Sequence, residues 1–210
     1  MFLFGHIGYT LTAALLLNNS LHINRVISKE IEEKANNTDV VHLKGPSAKF
    51  WRLVKRTKGL DLRFVIIGSL FPDIIDKPIG RYFFNNTFGT GQLYCHTLLF
   101  AVLLFLAGFL ITFKYKNSFM LMLAFGTFIH LLLDRMWQKP NILLWPLFGF
   151  GIEKSPPVPF GTYLWDLVSR LYKTPWVGIP ELIAAIIIIW FVWLLWHQKK
   201  LRSFILTGRV

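Results

Sequence analysis

An all-α, polytopic membrane helix bundle with four or five crossings is the fold class this sequence predicts, and three observations predict it. Apolar residues make up 54% of the 210 residues. Charged residues are only 16%, where a soluble domain carries about 25%. Several apolar runs approach the roughly 20 residues that a helix needs to cross a bilayer. The length suits a single membrane domain over residues 1–210.

The runs follow in order. Met1–Leu17 is apolar; no Lys or Arg precedes it and no small-residue cleavage site ends it, so it reads as a retained helix rather than a signal peptide. Residues 20–63 form a basic loop, with ten Lys or Arg in Asn19–Arg63. Within it, Ser28–Lys34 suits an exposed helical turn, and the KANNTD stretch around Asn36 reads as a loop. Phe64–Phe71 is apolar but short, and Pro72 interrupts it, so this crossing is expected to be broken at Pro72 or to dip in and return. Gly80–Gly91 is rich in Gly, Asn and aromatic residues and reads as a loop or cap.

Leu93–Phe113 is a clear span, Lys114–Asn117 a tight polar turn, and Ser118–Met136 an antiparallel second span. Trp137–Gly178 is rich in Trp, Pro and Gly and fits an interfacial segment, with Trp137, Trp145 and Trp165 as an aromatic belt. Ile179–Trp196 is an additional span, and a basic tail follows to residue 210.

Charge orients the bundle. With five crossings, the 20–63 loop, the 114–117 turn and the tail lie on one side and hold 16 basic residues, against 7 on the other. Positive charge collects in the cytoplasm. This predicts a multi-pass protein of the plasma (inner) membrane, N-terminus outside and C-terminus cytoplasmic. The net charge of +12 is thereby absorbed, and no nucleic-acid partner is expected. Cys95 is the one cysteine, so it cannot staple the fold and a Cys-based zinc site is excluded.

Ionisable groups at membrane depth are costly and generally have partners and a function. His130 and Asp134 stack at i, i+4 on one helix face. Asp73 and Asp76 follow an apolar run at i, i+3, His96 opens another, and His6 sits in the first. In the five-crossing topology all six converge on the outer half of the membrane, as a candidate metal set. His22, His42 and His197 fall in basic polar stretches and read as solvated. Imidazoles and carboxylates without thiolate suit a divalent ion, Zn²⁺ first, with Mn²⁺ or Fe²⁺ as alternatives. One ion is possible; two ions about 3.5–4 Å apart, sharing an Asp, use six ligands more naturally. Such a site acidifies water into a nucleophile and favours an oxyanion substrate. Asp73, Asp76, His130 and Asp134 are the candidate catalytic residues. Lys77, Arg81, Arg135 and Lys139 can receive a substrate phosphate, or can instead snorkel to headgroups.

The motifs taken together resemble a known family. Gly68-Ser69-Leu70-Phe71-Pro72-Asp73-Ile74-Ile75-Asp76 is similar to the G-x-L-x-P-D…D signature of the inner-membrane-associated metal-dependent hydrolases, also labelled LexA-binding. His96-Thr97 resembles its HT/HS motif, His130-Leu131-Leu132-Leu133-Asp134 its H-x-x-x-D motif, and Leu144–Gly149 its L-W-P-F-G segment. His6 falls where the family has an N-terminal His. The likeness covers residues 1–150. Many members read P-D-x-D-H; here the second Asp comes one residue later, and Lys77 follows it. A looser likeness connects the His/Asp pattern to zinc-dependent phospholipase C and related zinc nucleases.

What the resemblance implies is a metal-dependent hydrolase, and the residues add that its substrate is a phosphoester or phosphodiester of a membrane lipid or lipid-linked molecule. Two alternatives use the same residues: a metal-ion transporter or channel, and a non-catalytic scaffold in which a buried His/Asp network fixes helix packing.

Overall fold

The computed structural model describes residues 3–35, 61–151, 154–156 and 158–209, the first helix beyond Asn19 by its backbone only. Every regular element among them is helical, and no strand occurs among the described residues.

Helix α1 runs Leu3–Ala35. It continues past the expected end at Leu17 into the expected loop, because no Gly or Pro lies between Leu17 and Ala35 to stop it. The KANNTD loop beyond Ala35, His42 and the side chain of His22 lie outside the described residues. Helix α2 runs Leu62–Lys77, with Asp61 as N-cap accepting from the Arg63 N–H at 3.1 Å.

The break expected at Pro72 does not occur: α2 is continuous through it. Proline has no N–H to offer the carbonyl four residues back, here Gly68. The Thr127 hydroxyl, from another helix, donates to the Gly68 oxygen at 3.2 Å instead. A tertiary donor thus takes over from the local one. A π-helical turn, Pro78–Phe83, then occupies the first part of the expected loop.

A 3-10 turn, Tyr94–His96, precedes α3, Leu98–Tyr115. Thr97 is a true N-cap, its Oγ1 accepting from the Phe100 N–H at 3.1 Å. Lys116, in the left-handed conformation at φ 54°, ends α3. Helix α4 is Phe119–Leu133. Short pieces follow, a 3-10 turn Met136–Gln138 and α5, Pro140–Leu143. Then come α6, Phe160–Lys173, α7, Pro175–His197, and α8, Leu201–Thr207. By length and composition α3 and α7 can each cross a membrane, and α4 is a shorter apolar helix.

Helix α2 packs on α4 and α1, α4 on α3, and α1 on α7. The α2–α4 contact is backbone-close because Gly68 and Gly126 face it. A Cβ on Gly68 would strike the Leu123 backbone, and one on Gly126 would lie 2.8 Å from Ser69 N. Small residues at such crossings let membrane helices approach and hydrogen-bond. One half of the bundle closes over an apolar core of Leu11, Ala14, Val65, Met122, Phe191 and Leu195. The outer faces of α3 and α7 leave Leu103, Leu106, Leu110, Ile186 and Ile189 exposed, as lipid contact requires. At that same half of the bundle, Arg63 donates to the Ile205 and Leu206 carbonyls at 2.8 Å, tying down the end of α8.

Candidate metal centre

The ionisable residues gather at the other end, where α1 begins, α2 ends, α3 begins, α4 ends and α7 begins. Asp73, His96, His130 and Asp134 each offer one donor atom, and these atoms lie within 4.8 Å of one another. His96 Nε2 is 3.3 Å from His130 Nε2 and 3.4 Å from Asp73 Oδ1. His130 Nε2 is 3.8 Å from Asp73 Oδ1 and 3.7 Å from Asp134 Oδ2; His96 Nε2 to Asp134 Oδ2 is 4.0 Å. A tetrahedral site with bonds of about 2.0–2.1 Å has edges of roughly 3.3–3.4 Å. With edges running from 3.3 Å up to as much as 4.8 Å, the cage is wider than an ideal zinc tetrahedron and would have to contract around such an ion.

Both imidazoles are held by the nitrogen that faces away. His130 Nδ1 lies 2.6 Å from the Ser69 carbonyl oxygen. A carbonyl only accepts, so Nδ1 carries the hydrogen. His96 Nδ1 lies 2.7 Å from Asp76 Oδ2. That carboxylate already accepts from the Leu93 N–H at 2.8 Å and the Cys95 N–H at 3.1 Å, so Nδ1 of His96 donates as well. Each ring thereby turns Nε2 inward, the two Nε2 atoms lying 3.3 Å apart and flanked by two carboxylate oxygens; in their neutral form both present lone pairs to the centre. Asp73 Oδ1 is buried there without a hydrogen-bond partner. Donors crowded in this way need a proton or a metal ion among them, and the set of two imidazole nitrogens and two carboxylate oxygens fits a divalent ion.

Six ligands were expected; four face the centre, and two stand behind them. Asp76, 1% exposed, orients His96, which is the carboxylate–histidine arrangement found behind metal-binding imidazoles. His6 Nε2 lies 3.1 Å from Asp134 Oδ1, leaving Oδ2 for the cage, and the His6 ring stacks on His130 at 4.1 Å between centroids. Glu181 stands one layer further out, its Oε2 accepting from the Gly5 N–H at 2.9 Å. The three histidines are fully buried, while Asp73 and Asp134 keep 13% and 11% of their side chains exposed. The cage is open on its carboxylate side only.

Of the four basic residues expected to receive phosphate, Lys77 alone reaches the cage, donating to Asp73 Oδ2. Arg81 lies over the Tyr163 ring at 4.7 Å. Lys139 donates to Gln92 Oε1 at 2.7 Å. Arg135 is exposed, in the left-handed conformation at φ 52°. Cys95 is buried, its backbone N–H on Asp76, and it is not among the grouped ligands. Thr127 and the Ser69 carbonyl were not singled out from the sequence. Thr127 carries a faint signal, a hydroxyl inside an apolar helix; a carbonyl carries none.

A helical bundle with two helices of spanning length and a buried His/Asp cage defines a membrane protein with a candidate cation site. The family model for the YdjM inner membrane protein matches residues 42–203, and the chain belongs to that family. The matched range includes all four cage residues and Asp76, and it excludes His6. No curated protein and no solved structure matches the chain.

Proposed function

We propose that this protein is a membrane-bound metal-dependent hydrolase acting on a phosphoester or phosphodiester of a lipid or lipid-linked substrate, with Asp73, His96, His130 and Asp134 holding one divalent ion. The observation that carries the reading is the pair of Nε2 atoms 3.3 Å apart, flanked by the Asp73 and Asp134 carboxylates and each turned inward by the hydrogen bond at Nδ1 behind it. Zn²⁺ suits two imidazoles and two carboxylates, and hydrolysis would need one further position on the ion for water or phosphate, open on the exposed carboxylate side of the cage. One ion fits better than two, because Asp76 and His6 already serve His96 and Asp134.

When bound, the ion supplies Lewis acidity towards a phosphoryl oxygen and lowers the pKa of water. The chain's own residues do the rest. Asp76 and Ser69 fix the rings. His6 turns Asp134. Asp73 and Asp134 form the exposed edge of the cage, where water and substrate would enter. Lys77 stands beside Asp73, where a phosphate oxygen would arrive.

The basic segment 20–63, whose first part is the end of α1, and the basic tail favour a cytoplasmic location, which would put the cage at the outer face with the N-terminus outside. Five crossings agree with the alternating ends that α1, α2, α3, α4 and α7 present to the cage. A transporter needs a polar route onward, and the core beneath the site, Leu11, Val65, Met122 and Phe191, is apolar.

The test is elemental analysis of purified protein beside His130→Ala, followed by hydrolysis of phospholipids and polyprenyl phosphates with and without chelator. About one equivalent of Zn, Mn or Fe, lost in the variant, and chelator-sensitive release of phosphate or headgroup are expected. Wild-type protein free of transition metal would end the reading.

A further inference from the structure

Beside the cage lies a cavity of about 360 Å³, near the lower end of the roughly 300–1,000 Å³ of small-molecule sites. Its walls come from four helices. Leu70 and Ile74 of α2 face Leu167, Val168 and Leu171 of α6, and the first turn of α1 and Glu181 of α7 complete them. The charged groups on the wall are Asp73, Lys77 and Glu181. Glu181 gives Oε2 to the Gly5 N–H. Asp73 gives Oδ2 to Lys77 while its Oδ1 belongs to the cage. The cavity is thus a largely hydrocarbon slot whose charged groups are Asp73 and Lys77, at the edge of the cage, and Glu181, one layer further out.

Helix α6 explains where the slot leads. It exposes Phe160, Leu164, Trp165, Val168 and Tyr172, and its last turn carries Arg170 and Lys173. An amphipathic helix of this kind lies in the interface with its apolar face among acyl chains. The slot therefore borders on lipid, and its contents can arrive sideways from the bilayer.

Resting on the hydrolase reading above, we propose that this slot takes the hydrocarbon chain of a single-chain phosphorylated amphiphile, a lysophospholipid or a polyprenyl phosphate, with the phosphate end at Lys77 and the cage. The narrow volume suits one chain. The polar end suits an anionic rather than a neutral headgroup because Lys77 is the cation on the wall and stands beside Asp73 at the edge of the cage; a divalent ion and Lys77 would balance Asp73, Asp134 and Glu181. The slot thereby selects among the lipids of the membrane by chain number and by phosphate.

The experiment uses full-length protein in phosphatidylcholine nanodiscs. Three diazirine probes are compared: palmitoyl lysophosphatidic acid, farnesyl phosphate, and palmitoyl glycerol as the uncharged control. Cross-links are mapped by mass spectrometry. Expected are adducts on the segments containing Leu70–Ile74 and Leu167–Leu171, with the phosphate probes ahead of the neutral one; the better phosphate probe identifies the chain type. Val168→Trp fills the slot and should cut labelling by roughly tenfold, as loss of a buried chain contact demands, with metal content at the wild-type level. Leu106→Trp, on the exposed face of α3, should change neither. Labelling spread over Leu103 and Leu106 and insensitive to Val168→Trp overturns the slot. Equal labelling by the neutral probe overturns the phosphate end. Metal content and chelator-sensitive turnover, read on the same samples, report on the cage separately, so failure of the slot and failure of the hydrolase reading give different results.

Discussion

His130 Nδ1 lies 2.6 Å from the carbonyl oxygen of Ser69, and this bond between α4 and α2 decides which edge of the His130 ring the cage receives. The carbonyl cannot donate, so the ring turns its lone pair inward. The bond sits one residue along from the Gly68 carbonyl that Pro72 leaves without a helical donor and that Thr127 satisfies. Two consecutive carbonyls of α2 thus accept from two α4 residues three apart, Thr127 and His130. The proline appears in the sequence as a helix breaker; in the fold it belongs to the seam that docks α4 and sets a ligand.

The Pro72–Thr127 pair makes a double-mutant prediction. Thr127→Val leaves the Gly68 oxygen without that donor and should cost about 0.6 kcal/mol, the average for hydrogen bonds between membrane helices, and at most about 1.7 kcal/mol. Pro72→Ala restores a backbone N–H for the same oxygen. In that background the cost of Thr127→Val should fall towards zero, giving a coupling of similar size. Reversible unfolding in mixed micelles measures all four proteins. Additive costs would mean that the hydroxyl does not substitute for the missing N–H.

Asp73 and Asp76 should separate in metal affinity although they sit on the same helix. Asp73→Asn removes an inner donor and should abolish tight binding. Asp76→Asn leaves the inner set complete and loosens the His96 ring, so affinity should drop by about 10–100-fold, as for other residues behind a metal ligand. Titration against a chromophoric chelator reads both. Equal loss in the two variants would place Asp76 in direct contact with the ion.

The sequence made the main pieces legible for simple reasons. The apolar runs over α3, α4 and α7 are long, and ionisable groups inside apolar runs are few, so His96, His130, Asp73 and Asp134 stood out. Which residues face the centre was not legible. Asp73 and Asp76, at i, i+3, look equivalent on a helix; they differ because the Leu93–Cys95 turn folds over Asp76 and occupies its oxygens. The continuity of α2 was hidden for the same reason, since the local rule for proline knows nothing of Thr127. The extent of α1 is not legible from polarity, because a polar stretch without a Gly or Pro stop signal can continue a helix, as Leu17–Ala35 does.

His6 lies outside the range matched by the family model, yet it touches the cage through Asp134 Oδ1 at 3.1 Å. His6→Ala should keep the metal while weakening it by roughly tenfold. His6→Gln, whose amide can still donate to Asp134, should recover part of that loss. Complete loss of metal in His6→Ala would make His6 a ligand in its own right; no change at all would make its contact with Asp134 incidental.

The Gly68–Gly126 crossing carries the strongest structural prediction. Asp73 and His130 belong to helices that meet there, so any added bulk pushes two inner donors apart. A methyl on Gly68 would strike the Leu123 backbone, which cannot swing aside as a side chain tip can. Gly68→Ala should destabilise by about 1–3 kcal/mol, the usual cost of overpacking, and should weaken metal binding as well. Gly151→Ala meets nothing within 4 Å and should stay within about 0.5 kcal/mol of wild type. Thermal unfolding with and without metal separates the two effects: if the apo protein loses stability but metal binding is untouched, α2 and α4 part elsewhere than at the cage. If neither changes, the helices are further apart than the glycines require, and the cage distances built on their contact are wrong.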